Sequence, residues 1–280
     1  MKQYQELLQH ILNHGTRHED RTGVGTISVI GYQTRYDLRM SFPIVTSKRV
    51  PFRWIAEELF WFLSGDTNEK NLQSRGVDIW AEWADAEHTS KFGREVGDLG
   101  PIYGYLWRSF GGDYPERNGF DQIADLIEQI KTNPNSRRLI VSGWNPETAV
   151  KVDLPPCHTM FIFTVRDKKL TCQLFQRSAD AFLGVPFNIS SYALLTKMIA
   201  HVCDLEAVEF IHTFHDLHIY TNHLEQVREL LEREPLPLPK LEFANAENLK
   251  GLQGLLDFKY ENLNLIGYQS HKKIAAPVAV

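Results

Sequence analysis

Leu154-Pro155-Pro156-Cys157-His158-Thr159 places a cysteine after a proline pair and before a histidine, ahead of the β-rich run Met160-Phe161-Ile162-Phe163-Thr164-Val165. The prolines fix φ and remove backbone donors, which holds Cys157 at the start of a strand, where its thiol can face a pocket. A cysteine attacks as its thiolate, so a nucleophilic Cys157 needs nearby positive charge to lower its pKa. Arg137 and Arg138 lie upstream and Arg177 downstream. The plain alternative is a small buried apolar cysteine. Arg21 sits in the polar stretch His18–Thr26, whose glycines allow close backbone approach to an anion. A solvated surface arginine is equally compatible there. Glu58 lies inside the apolar run Trp54–Leu63, where burial raises a carboxyl pKa and suits a proton carrier, whereas Glu57 belongs on the wet face. Trp80 and Trp83 are either core or a platform for a flat ring. Tyr103 ends a turn-rich stretch, Gly97–Gly104, of the kind that carries functional side chains. The Arg137-Arg138 pair at a strand start suits bidentate phosphate recognition or is a surface basic pair.

The elements that must position these groups follow from periodicity. Tyr4, Leu7, Leu8, Ile11 and Leu12 predict a first helix that stops at Gly15. Residues 27–36 alternate as a strand, and Phe42-Pro43-Ile44-Val45-Thr46 reads as another. Trp54–Leu63 is a buried helix ending near Gly65, Glu87–Gly97 a polar loop insertion, and Phe120–Lys131 an amphipathic helix. Leu139–Ser142 is a strand. Thr159–Val165, a turn at Arg166-Asp167-Lys168-Lys169, and Leu170–Gln176 predict a hairpin. Gly184-Val185-Pro186-Phe187-Asn188 caps a helix over Ile189–Val202. A strand over Val208–Thr213, a helix over His223–Glu234 and an extended connector at Pro235, Pro237 and Pro239 follow. The small apolar tail needs docking to stay ordered.

The 280 residues are 43% hydrophobic and 23% charged, which suits a globular chain with a sizeable core, and no domain boundary or repeat is visible. A net charge of −5 does not support a nucleic-acid footprint, so an anionic ligand needs a local arginine cluster. Three cysteines without metal spacing fit a reduced, cytoplasmic compartment. No signal peptide or membrane-length apolar run is seen. Taken together, the candidate nucleophile, the arginines near loops, the semi-buried Glu58, the polar readers Asn188, His218 and Tyr220, and the indoles suit a nucleoside monophosphate and a second flat molecule.

The chain resembles the thymidylate synthase family along nearly its whole length. The resemblance is carried by Asp20-Arg21-Thr22-Gly23, Glu58–Leu63, Gly97–Gly104, Ser136-Arg137-Arg138, Pro155-Pro156-Cys157-His158, Gln176-Arg177-Ser178-Ala179-Asp180, Gly184–Ile189 and His218-Ile219-Tyr220, in the family's order. It implies one catalytic domain over 1–280 with an α+β fold. That fold is a large mixed twisted β-sheet flanked by helices, with sheets packing back to back in a homodimer. It implies dUMP as substrate, 5,10-methylenetetrahydrofolate as co-substrate, and no metal, nucleic-acid or membrane partner. Cys157 is expected to attack C6 of the pyrimidine, making C5 nucleophilic. Arg21, Gln176, Arg177 and Ser178 are expected in the nucleotide site, with the partner subunit's copies of Arg137 and Arg138 reaching the phosphate. Asn188 is expected on the uracil edge, and His218 and Tyr220 on the ribose. Glu58, Tyr103, His158, Asn188 and Asp180 complete the expected catalytic set. Ile79, Trp80, Trp83, Asp180, Leu183, Gly184, Phe187, Val278 and Ala279 are expected around the folate, with the tail closing over it. The arginines are further expected to lower the Cys157 pKa.

Four positions depart from the family pattern: Ile162 in place of Gln, His215 in place of Gly, Leu217 in place of a small residue, and Ala81 in place of Asp. Ile162 and His215 are each either a compensated packing change or a sign that water, rather than hydride, captures the methylene intermediate. The second outcome is that of the related nucleotide hydroxymethylases, and Leu217 before the motif histidine resembles that hydroxymethylase branch. Asn188 favours uracil over cytosine, whose reader is expected to be acidic.

Overall fold

The structure is a computed structural model and describes residues 1–278. In chain order it runs α1 (Lys2–His14), β1 (Thr16–His18), β2 (Thr26–Asp37), α2 (Phe52–Leu63), α3 (Glu69–Gln73), α4 (Ala86–Thr89), α5 (Tyr103–Arg108) and α6 (Gln122–Thr132). Then come β3 (Ile140–Ser142), α7 (Pro146–Ala149), β4 (His158–Arg166), β5 (Lys169–Asp180), α8 (Gly184–Val202), β6 (Glu206–Tyr220), α9 (Leu224–Leu231), β7 (Lys240–Phe243), α10 (Gly251–Leu256) and β8 (Leu263–Ile266). A six-stranded sheet has the order β1-β2-β6-β5-β4-β3, and β7 pairs with β8 separately. All neighbours in the large sheet are antiparallel except β5 and β6, which are parallel because α8 carries the chain across between them. The fold is therefore the expected α+β arrangement, a mixed sheet with helices against it.

Side chains alternate across this sheet as the pleat requires. On one face, Tyr36, Phe210, Cys172, Leu174, Phe161 and Phe163 are buried, and α8 packs over β5 and β6. Its own residues are apolar nearly all round, as a helix enclosed on every side must be. The opposite face carries Ile162, Gln173, Phe175 and Thr213, all half-buried, with Ile140 43% exposed at its edge. The hairpin of β4 and β5 turns at Asp167 and Lys168, both at positive φ (50° and 59°), the conformation a two-residue hairpin loop needs.

Several expectations need correction. Phe42–Thr46 is not a strand. Its groups find partners in loops and side chains: Phe42 N–H donates to Pro239 O at 2.8 Å, and the Ser190 hydroxyl donates to Pro43 O at 2.9 Å. Pro43 lacks the donor a ladder would need. Gly184–Asn188 is the first turn of α8 rather than a cap before it, with Pro186 where its missing N–H would have had no helical partner. β6 runs on to Tyr220, because β2 pairs with it from Glu209 to Tyr220 and β5 from Glu206 to His218. The polar His215-Asp216 pair interrupts the alternation that the sequence reading followed. The helix expected over 223–234 is only Leu224–Leu231. The insertion is not plain loop, since it holds α4 and a 3-10 turn over Ser90–Phe92. The short β1, β7 and β8 and the short helices α3, α7 and α10 were not anticipated. They are three to six residues long, too short for periodicity to declare them.

Tyr103 is placed by a close approach of α5 to α2. A Cβ on Gly104 would lie 2.8 Å from Asp66 O and 2.9 Å from Phe62 O, both backbone atoms. Gly104→Ala should therefore destabilise the protein by about 1–3 kcal/mol in urea unfolding, the usual cost of overpacking. An unchanged midpoint would show that the two helices are free to separate.

Candidate active site

Cys157 is half-buried on the residue before β4. Its N–H donates to the Tyr103 phenol at 2.7 Å, and its carbonyl accepts from Arg177 N–H at 2.9 Å. Arg177, on β5, also donates from Nη2 to Pro155 O at 2.7 Å and from Nε to Pro156 O at 2.9 Å. Its guanidinium lies 5.2 Å from the Trp144 ring centroid. The cysteine loop is thereby tied to the sheet, with a fixed cation close to the sulfur. The insertion braces the same loop from outside: Arg94 Nη2 donates to Lys151 O at 2.7 Å, and Lys91 pairs with Asp153 at 3.0 Å.

The expected low thiol pKa is not found in this chain. Burial pushes the Cys157 thiol up, and Arg177, the Tyr103 contact and Arg21 oppose it only in part. Arg137 and Arg138 play no part within the chain. Both are exposed just before β3, beside Asp125, Gln129, Asn133 and Ser136. Because Ile140 pairs with Ile162, Arg138 falls near the far end of β4, roughly 20 Å from Cys157 at the rise of a strand.

Glu58 is buried on α2. Burial raises its carboxyl from 4.5 to about 7, opposed by the hydrogen bond that Trp80 Nε1 donates to Oε1 at 2.8 Å. Such a group both holds and releases a proton near neutrality. Trp80 lies 6.0 Å from Trp83 and 5.9 Å from Tyr103 between ring centroids. The Tyr103 phenol is kept neutral by burial. His158, 4.9 Å from the Tyr103 ring, is lowered to about 4 by burial and is therefore a neutral imidazole. Its Nδ1 shares a hydrogen bond with the Tyr192 hydroxyl at 3.2 Å.

The residues expected around the nucleotide gather where β5 and β6 end and β2 begins. Ser178 lies opposite Asp216, Asp180 opposite His218, and His218 opposite Ser28. His218 Nδ1 is 3.0 Å from Asp216 Oδ1. Tyr220 is beside His218, with ring centroids 5.1 Å apart, and its phenol is raised to about 12 by burial. The exposed Arg21 stands on a loop that Asp20 folds through Thr22 and Gly25, and Thr221 N–H ties it to β6 at Gly25 O, 2.9 Å away. Asp180 Oδ1 accepts from Phe182 N–H at 2.9 Å and Leu183 N–H at 3.2 Å, which turns the chain into α8. Oδ2 makes no hydrogen bond among the described residues. Ile79, Trp83, Leu183, Gly184 and Phe187 are half-buried and Val278 is 44% exposed. Ala279 lies outside the described residues.

A family model described as Thymidylate synthase matches residues 2–280. The chain belongs to the thymidylate synthase family. It is accordingly a thymidylate synthase-type enzyme, and the family's substrates are dUMP and a reduced folate. No helix among the described residues is long and apolar enough to cross a membrane, and no group of three or more potential metal ligands occurs among them.

In this chain, sequence reasoning missed three buried groups that pack around the candidate site. Tyr192 on α8 holds His158. His212, on β6, contacts Gln176 Oε1 at 2.8 Å. His223 contacts Pro277 O at 2.7 Å and stands 3.9 Å from Asp180, so it joins the tail to the expected folate side. A polar side chain in an apolar run was the available signal for Tyr192 and His212. Of the departures, Leu217 is fully buried, opposite Val29 and Ala179, and Ile162 lies between Ile140 and Gln173 on the open face of the sheet. His215 is exposed and sits beside Arg177 by register, and Ala81 is half-buried next to Trp80.

Glu58 has a folded-state pKa above its unfolded value, so its protonation stabilises the fold below about 4.5, and that contribution is lost as pH rises through about 7. The wild type should lose up to about 3 kcal/mol across this window that Glu58→Gln does not lose. Urea unfolding at several pH values measures the difference, and parallel profiles would contradict the buried-acid assignment.

Proposed function

We propose that the protein methylates dUMP to dTMP, with 5,10-methylenetetrahydrofolate as donor, through a covalent bond between Cys157 Sγ and C6 of the pyrimidine. The observation that carries this is Cys157 clamped by Arg177 and linked through Tyr103 and Trp80 to a buried acid, Glu58, poised near 7. Uracil C5 is unreactive until a nucleophile saturates the ring. As the S–C6 bond forms, the C5–C6 π pair moves onto C5 and O4, and C5 then bonds to the methylene carbon of the folate. Loss of the C5 proton breaks that carbon's bond to the folate nitrogen, and hydride transfer to the resulting exocyclic methylene expels sulfur from C6. Glu58, with Tyr103, His158 and water, delivers a proton at O4 and removes the one at C5. Breaking the C6–S bond returns the cysteine. Because burial keeps the resting thiol protonated, its ionisation belongs to the bound state, where the C4 carbonyl accepts charge as sulfur loses its proton.

The 5′-phosphate is assigned to Arg21, Arg177 and Ser178, with Gln176 behind them, and the ribose to His218 and Tyr220. Asn188 reads O4 and N3–H. The folate supplies the one-carbon unit and, for a methyl product, the hydride. The residues present fit a pterin: half-buried Trp83 and Phe187 and the buried Trp80 offer ring faces, half-buried Ile79 and Leu183 offer aliphatic contact, Gly184 leaves room, and Asp180 Oδ2 is available to an N–H donor. The tail from Pro277, including Val278 and Ala279, is assigned as the cover that keeps water out.

The enzyme is assigned as a single-domain cytoplasmic homodimer. One continuous core and free cysteines support the domain and the compartment. Arg137 and Arg138, lying far from their own Cys157, are suited to the partner's phosphate site across the open sheet face. A second reading is a dUMP hydroxymethylase, in which water captures the methylene group. His215 beside Arg177 is the departure that favours it.

Incubation with dUMP and 5,10-methylenetetrahydrofolate decides between them. The proposal expects dTMP and dihydrofolate in equal amounts; 5-hydroxymethyl-dUMP and tetrahydrofolate would overturn methylation. Cys157→Ala should abolish turnover while leaving the dUMP dissociation constant within about tenfold, because the phosphate and base contacts remain. Mixing Cys157→Ala with Arg137→Ala protein should restore partial activity if sites are shared between subunits, and no recovery would reject the shared site.

A further inference from the structure

His212 lies in mid-strand on β6, fully buried between the Phe210 and Phe214 rings, whose centroids are 5.5 and 3.8 Å from its own. Its Nε2 is 2.8 Å from Gln176 Oε1, while its Nδ1 has no partner among the described residues. Gln176 cannot be turned round. Its Nε2 lies 3.0 Å from Ser178 O, a carbonyl that only accepts, so this atom must be the amide nitrogen. The same nitrogen donates to Asn188 Oδ1 at 3.2 Å. It follows that Gln176 Oε1 faces the imidazole, and that the Nε2 of His212 carries the proton.

We infer that His212 is a specificity-determining positioning residue, which acts through Gln176 to hold the Asn188 amide in the orientation that reads uracil and rejects cytosine. This rests on the assignment of Asn188 to the base edge. With Oδ1 receiving the Gln176 N–H, Asn188 presents an NH2 group to O4 and the second lone pair of Oδ1 to N3–H. Cytosine offers the reverse, an amino group at C4 and a bare N3. To read it, Asn188 must flip, which sets its NH2 against the Gln176 NH2. Relieving that clash requires Gln176 to flip, which sets its oxygen against Ser178 O and its NH2 against the His212 proton. The imidazole could yield only by moving its proton to Nδ1, where a buried N–H would find no acceptor. Each flip is thus blocked by the next group, and the chain of constraints ends in a tautomer. Burial keeps the imidazole neutral, so it has a single proton to place.

The experiment is titration calorimetry of dUMP and dCMP against wild type, His212→Leu and His212→Gln. Leucine removes the donor; glutamine places an amide N–H at a similar reach. His212→Leu should lose about tenfold of the dUMP-over-dCMP preference, the worth of one buried hydrogen bond, and His212→Gln should recover most of it. A role in packing alone would weaken both nucleotides alike, and a preserved ratio in folded His212→Leu, or no recovery in His212→Gln, overturns the inference. If the leucine variant does not fold, nitrogen-15 NMR of wild-type imidazoles decides: a proton on Nε2 alone supports the relay, and a proton on Nδ1 overturns it. A wild type that binds dUMP and dCMP equally would instead reject Asn188 as the base reader, which is a different failure.

Discussion

One guanidinium joins the sheet to the loop that carries the sulfur. The Pro155-Pro156 pair has no N–H to offer, so this stretch cannot extend β4 by ordinary ladder bonds. Arg177 replaces the ladder: its side chain holds both proline carbonyls and its backbone holds the Cys157 carbonyl. A planar fork with fixed donors is suited to this task where a lysine ammonium is not. Its position on β5 in turn depends on the parallel pairing with β6, which sets Ser178, Asp180, His218 and Tyr220 level with one another. Loss of that clamp would free the cysteine from Tyr103 and from the nearest positive charge together.

Around that clamp the structure sorts buried protonatable groups by environment. Tyr103 is held neutral, His158 is lowered to about 4 and Glu58 is raised to about 7, in each case chiefly by burial. Near neutral pH Glu58 is therefore the member of this set able to exchange a proton, and the others offer fixed hydrogen-bonding character. Separating titrations in this way is what the proposed acid–base role of Glu58 requires. The same dryness raises the Cys157 thiol, and under the proposed mechanism the sulfur stays protonated until a ring arrives to take up its charge.

Much of this was legible in the sequence where a single period ran unbroken. The helix around Glu58, the amphipathic α6 and the β4–β5 hairpin follow from spacing alone, and so does the placement of Cys157 at a strand start. Legibility failed where tertiary partners replaced local ones. Phe42–Thr46 has strand composition but is satisfied by Pro239 and Ser190. β6 passes through His215 and Asp216 because neighbours on both sides hold it. The thiol pKa was misjudged because charge can be counted in a sequence while desolvation cannot. His212 and His223 were overlooked for a related reason: their roles depend on register and on distant loops.

The account stands on the sulfur of Cys157 bonding to C6 of the pyrimidine, and trapping that bond tests it most directly. Replacing the C5 hydrogen of dUMP by fluorine removes the proton that must leave, so the adduct should persist in the presence of 5,10-methylenetetrahydrofolate. Mass spectrometry of the intact protein and of its peptides should find nucleotide and folate together on the peptide that carries Cys157. A protein of unchanged mass under turnover conditions, or label on Cys172 or Cys203 instead, would contradict it.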